Sequence, residues 1–135
     1  MNTSDLMLGD WVKYGNQYIK VASITKKKIG YHIKPNEPRM HYVRACEIEP
    51  IPLTPEILIK NGFPFDKEET NSDIQSVYKD YTEFYKFPLG KGFYIEYNTV
   101  QKTFWITDHC WIQFKYFNEF QHVLKMCGIK KEIVL

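Results

Sequence analysis

Residues 9–34 read GDWVKYGNQYIKVASITKKKIGYHIK. Trp11, Val12, Tyr14, Tyr18, Ile19, Val21 and Ile24 are β-branched or aromatic residues, which fit a pleated, half-buried surface. Gly15-Asn16 stands between two such runs and is a hairpin-type dipeptide. Lys26, Lys27 and Lys28 form the only basic run; between two strands it reads as a solvated turn. KIGYHIK then resumes the β pattern, PNEP at 35–38 breaks it, and MHYVRACEI at 40–48 reads as a fourth strand. Four or five short strands within about fifty residues predict a small, strongly bent SH3-like barrel.

Downstream, PIPLTPEILIKNGF at 50–63 carries the clearest local signal. Thr54 is a good N-cap, and Pro55 sits at the first helical position, where a missing N–H costs nothing. Glu56 favours the positive end of the helix dipole, and Gly62 marks the stop. The spacing predicts a helix of about two turns. Residues 66–73, DKEETNSD, are polar and read as loop. Ile74, Val77, Tyr78 and Tyr81 then share one helix face at i, i+3, i+4 and i+7, capped by Ser72 or Asp73, although an extended loop fits nearly as well.

GFYIEYN (92–98), KTFWITD (102–108) and CWIQFKY (110–116) read as three antiparallel strands. Asn98 to Gln101 makes one turn, and Asp108-His109 belongs to the next. The aromatics are dense here: 15 of the 22 fall between Tyr78 and Phe120. Strand alternation sorts them. Phe93, Ile95, Phe104, Ile106, Ile112 and Phe114 share one apolar face, which the last helix can cover. Tyr94, Glu96, Trp105, Thr107, Trp111, Gln113 and Lys115 share the other. Large aromatics mixed with polar groups are what contact surfaces use. Either the N-terminal lobe docks on this second face or a partner does. Docking within the chain is preferred, because a chain of 135 residues must bury its large side chains. If the face is exposed, Tyr94, Trp105 and Trp111 are the anchors, with Lys115 beside them.

The closing stretch, NEFQHVLKMCGI at 118–129, places a histidine and a cysteine five apart. At 100° per residue, Phe117, Phe120, Val123, Leu124 and Cys127 form one buried stripe. His122 points away beside Asn118 and Lys125 and reads as a surface residue. His122 and Cys127 therefore cannot chelate one ion, since helical metal pairs use i, i+3 or i+4 spacing. Asn118 and Gln121 resemble a capping box, Gly128 ends the helix, and KKEIVL at 130–135 reads as a final strand.

Composition narrows the function classes. A formal charge of +2 lacks the strong basic footprint of a dedicated nucleic-acid binder. Three cysteines without paired spacing argue against a disulfide framework and fit a reducing cytoplasm. His32, His41, Cys46, His109 and Cys110 lack the short paired spacings of structural zinc sites. The chain has no GxSxG, no phosphate-cradling glycine loop and no HExxH, so no catalytic residue, cofactor or metal is assigned. No run approaches the roughly 18 apolar residues of a membrane span, and the opening has no secretory pattern.

The order of motifs resembles a family of short uncharacterised proteins of gut bacteria and their phages and mobile elements. Leu8-Gly9-Asp10-Trp11-Val12 matches its opening, Ile51-Pro52-Leu53-Thr54 with the helix ending at Gly62-Phe63 its centre, and Tyr116 with Phe120-Gln121 its closing helix. Phe120-Gln121 stands where Leu-Gln is usual. The resemblance implies a cytoplasmic bacterial or phage-associated protein and no particular activity. The segment Leu8 to Val12 is also similar to the SH3-like KOW units of ribosomal and transcription proteins, but little of that pattern follows it.

These readings predict an α+β protein. Residues 1–49 form a small SH3-like β lobe. Residues 50–135 form a short helix and an antiparallel sheet packed on a C-terminal helix, and the two make one compact unit. The expected function is a non-enzymatic interaction module that binds a protein partner or itself. The alternative is single-stranded nucleic acid, held by stacking aromatics with Lys102, Lys115 and Lys26 to Lys28.

Overall fold

In the computed structural model, residues 1–64, 84–90, 93–98, 101–107 and 112–135 are described. The proposed helix over 74–81, the polar loop before it, the Asp108-His109 turn, Cys110 and Trp111 lie outside them. The architecture is α+β, with antiparallel sheets and a C-terminal helix. The chain divides into two units: residues 1–52 with 116–126, and residues 53–115 with 127–135.

In the first unit, β1 (Trp11–Tyr14) and β2 (Gln17–Lys20) pair as a hairpin, with Tyr14 opposite Gln17. Gly15 takes φ +58° at the first central position, as a type II′ turn requires. The strand direction then bends, and β3 (Ser23–Ile24) opens a second sheet with β4 (Lys28–Tyr31) and β5 (His41–Arg44). The lysine run does turn the corner between β3 and β4: Thr25 N–H donates to Lys28 C=O, and Lys28 N–H donates back to Thr25 Oγ1. The stretch read as one fourth strand is broken. A 3₁₀ turn at Ala45–Glu47 separates β5 from β6 (Ile48–Glu49), and β6 returns to pair with β1. The break forms because Glu47 reaches back to the Arg44 backbone N–H and guanidinium, at 3.2 and 3.1 Å, tightening the chain locally. Leu6, Val12, Ile19, Val21, Ile29, Tyr31, Val43 and Ile48 close over one another as the core of this unit.

The second unit opens on α1 (Pro55–Lys60). Thr54 Oγ1 accepts from Ile57 N–H, as its sequence position predicts. At the other end Gly62 N–H donates to Ile59 C=O and Phe63 N–H to Leu58 C=O, the pair of bonds of a Schellman stop. Buried Leu58 and Phe63 supply the apolar contact that accompanies it. Residues 130–135, read as a strand, pair with no strand among the described residues. The Asn61 side chain takes the backbone instead, donating to Val134 C=O at 2.8 Å and accepting Val134 N–H at 2.9 Å. One amide thus satisfies the groups a neighbouring strand would have met.

Four strands make the large sheet, in the order β10-β9-β8-β7. They are β7 (Phe84–Gly90), β8 (Phe93–Asn98), β9 (Thr103–Thr107) and β10 (Ile112–Phe114). Pro88 sits in the edge strand, beside a register shift, where a missing N–H removes no ladder bond. The β8–β9 turn is tied by Asn98, whose Oδ1 accepts Gln101 N–H at 3.0 Å, and Lys102 takes φ +52° to complete it. Finally α2 (Phe117–Met126) carries buried Phe117, Phe120, Val123 and Leu124, the stripe predicted from its periodicity. This helix groups with the first unit and packs on β1.

Gly62 has φ +78°, and a Cβ there would meet only the mobile Lys131 ammonium, at 3.2 Å. Its importance is therefore conformational. Gly62→Ala is expected to destabilise the fold by about 1 kcal/mol, and Gly62→Asn by less, as read from urea midpoints at constant m-value.

Candidate functional site

Of the sheet residues singled out in the sequence, Tyr94, Glu96, Trp105 and Gln113 fall in register. Glu96, Trp105 and Gln113 form a cross-strand row over β8, β9 and β10, and Tyr94 lies one pleat away opposite Thr107. Tyr94, Glu96 and Trp105 are partly buried, whereas Gln113 and Lys115 are exposed. Trp111 falls outside the described residues. The reverse face is closed: Phe87, Ile95, Phe104, Ile106 and Phe114 are each at most 2% exposed. Across its middle runs an aromatic row. Tyr97 lies over Phe104 at 4.4 Å between ring centroids, and Phe104 stacks on Phe114 at 5.6 Å. Such pairs add about 0.5–1.5 kcal/mol beyond the area they bury. Burial holds the Tyr97 phenol in its neutral form, pushing its pKa up, with the nearby Glu56 carboxylate adding to the effect.

Sequence reasoning missed a second polar cluster, inside the first unit. Met7 to Asp10 make a turn closed by Asp10 N–H to Met7 C=O, with Gly9 at φ +91° in its third position, as a type II turn requires. Asp10 is completely buried. Its Oδ2 accepts from Met7 N–H and from His122 Nε2, each at 2.8 Å. The reading of His122 as a surface residue is thereby corrected: its side chain is only 24% exposed. Beside it, the Gln121 amide donates to Gly9 C=O at 3.1 Å and accepts Trp11 N–H at 3.0 Å. Lys125 Nζ reaches Leu8 C=O at 3.5 Å. The face of α2 read as outward therefore grips the residue 8–11 turn.

Three further readings of that helix change. Gln121 does not cap it. Tyr116 is the N-cap, its C=O accepting from Phe120 N–H, while the Glu119 carboxylate accepts Tyr116 N–H at 3.0 Å. Asn118, placed by its angle on the polar side, is 3% exposed, because the first turn of a helix buried at Phe117 and Phe120 is enclosed on more than one side. Cys127, placed in the buried stripe, is only partly buried, since the helix ends at Met126.

The cluster holds a histidine and a carboxylate, and apart from the bond between them its hydrogen bonds go to backbone groups, as those of structural clamps do. His32 is held by Arg39 C=O at 3.0 Å, and His41 lies 3.8 Å from Glu37 and against the Tyr31 ring. Among the described residues, no group of three or more His, Cys, Asp or Glu side chains could hold a metal ion. No described helix is long and apolar enough to cross a membrane.

Truncating one side of this buried hydrogen-bonded pair strands the other. His122→Ala is expected to cost about 1–2 kcal/mol and Asp10→Ala about 3 kcal/mol. The double variant should cost less than their sum by about 1 kcal/mol, measured as a double-mutant cycle in urea. Additive losses would show that the pair is not coupled. In an alkaline absorbance titration the wild type should show a late tyrosinate step that Tyr97→Phe removes. Because the folded-state pKa is raised, the stability this phenol confers is present below the unfolded value and lost as pH rises through the folded one.

No family model, no curated protein and no solved structure matches the chain.

Proposed function

We propose that the protein is a non-enzymatic interaction module. Its four-stranded sheet would present Tyr94, Trp105 and Lys115 to a protein partner or to a second copy of the chain, and Trp111 is the further anchor expected from the sequence. The observation that carries this reading is the unequal character of the two faces. One is sealed by aliphatic and phenyl side chains, and the other keeps partly buried Tyr94 and Trp105 among Glu96, Gln113 and Lys115. Aromatic anchors within a polar rim are the usual composition of a binding patch.

The same proposal takes the first unit as a small SH3-like barrel. Support comes from the bent β2–β3 run, the 3₁₀ turn before the last short strand, and the return of that strand to β1. The motif order of the opening, centre and close supports a cytoplasmic, bacterial or phage-associated setting. Single-stranded nucleic acid at the Tyr94–Trp105 face is the weaker reading, because Lys102 and Lys115 there are offset by Glu96 and phosphate contacts supply most of such affinity.

The test is capture of the tagged protein from its native lysate with and without nuclease, beside sedimentation of the purified chain. Trp105→Ala is expected to keep the wild-type unfolding midpoint to within about 1 kcal/mol while losing the nuclease-resistant partner or the self-association. By contrast, Phe104→Ala on the sealed face should cost about 3–5 kcal/mol of stability. If Trp105→Ala unfolds the protein as Phe104→Ala does, Trp105 is core and the reading fails.

A further inference from the structure

The hairpin of the first unit is two-sided as well. Val12 and Ile19, paired across it, point into the core. On the other side Trp11 stands opposite Lys20 and Lys13 opposite Tyr18, so aromatic and lysine alternate along each strand and across the pair. Tyr18 is 55% exposed, Lys20 is exposed, and Trp11 and Lys13 are partly so. The Lys20 ammonium lies 5.9 Å from the centre of the Trp11 ring. Lys13 makes no ion pair among the described residues, although Glu49 is its register neighbour on β6. The strand beneath is fixed, because Gln121 holds the Trp11 backbone N–H and Val21 N–H is bonded to Asp10 C=O.

We propose that this face binds single-stranded nucleic acid, with bases stacking on Tyr18 and Trp11 and phosphates meeting Lys13 and Lys20. Flat rings offered to solvent are platforms that bases use, whatever their sequence. The diagonal of an antiparallel pair, about 7–8 Å, is a spacing that two successive unstacked bases can span. An acidic peptide would meet the lysines but leave the rings unused. The first unit is also the more basic of the two. The segments of the first unit carry nine Lys and Arg against six Asp and Glu, and the remaining residues carry nine against ten. Another exposed tyrosine of this unit, Tyr42 on β5, is a poorer platform: its neighbour Arg44 is tied to Glu47 at 3.1 Å. The proposal uses a different surface from the Tyr94–Trp105 face and stands or falls separately.

The test is fluorescence anisotropy of the full chain with a labelled oligothymidylate of about twelve nucleotides. Affinity is expected to fall with salt at a log–log slope of about 1.4 for two phosphate contacts, and Lys13→Ala should lower that slope by about 0.7. Tyr18→Ala should weaken binding by about tenfold, Tyr18→Phe should restore it, and Tyr42→Ala should leave it unchanged. Tyr18 is exposed, so unchanged circular dichroism will confirm that the variant folds. Absence of binding overturns the proposal, as does an unaltered Kd in Tyr18→Ala or an equal loss in Tyr42→Ala. Equal affinity for a polyglutamate peptide also overturns it and assigns the face to an acidic protein. Trp105→Ala should not change oligonucleotide binding, which separates this result from failure of the first reading.

Discussion

The grip of α2 on the turn before β1 is the interaction on which the first unit depends. A helix 110 residues away in sequence meets that turn through side chains that complete its backbone hydrogen bonding. Gln121 offers one donor and one acceptor, and both are used, by Gly9 C=O and Trp11 N–H. It acts as one more strand residue would, at the point where the hairpin begins. Asp10 is buried with its Oδ2 held by His122 and by Met7 N–H, so one of its two hydrogen bonds is made only while the helix is in place. Folding of the N-terminal strands is therefore coupled to a segment synthesised some 110 residues later. The loop-closure entropy of that contact is met before it is rewarded.

The same logic recurs in the second unit on a smaller scale. Asn61 ends α1 and at once receives the backbone of Val134. In both places a side-chain amide replaces a strand. An amide carries a donor and an acceptor in the geometry of a peptide group, so it can close a ladder with a single residue. Phe63, under the Lys131 ammonium at 4.5 Å, reinforces the second of these junctions.

Both units build sheets whose faces differ in kind. Their sealed faces account for stability. Their other faces keep tyrosine, tryptophan and lysine in ordered registers set by the ladders. Rigid rings on strands lose little conformational freedom when they meet a partner, which makes such positions effective anchors.

Much of this was legible in the residues themselves. Period-two alternation separated Phe104 from Trp105 and Ile95 from Tyr94, because side-chain direction in a strand is a local property. The Gly15 hairpin, the Thr54 cap and the Gly62 stop were likewise local, fixed by dihedral preference and nearest hydrogen bonds. The break at Ala45–Glu47 was not, since a glutamate reaching back to Arg44 competes with strand pairing by a narrow margin. Least legible was the clamp. The helical wheel correctly set His122 opposite the apolar stripe, but polarity alone does not say whether the opposite side meets water or another polar surface. Asp10, Gln121 and His122 are ordinary surface residue types. Only the tertiary structure, by bringing a buried carboxylate and two open backbone groups to that side of the helix, decided that they belong to the interior.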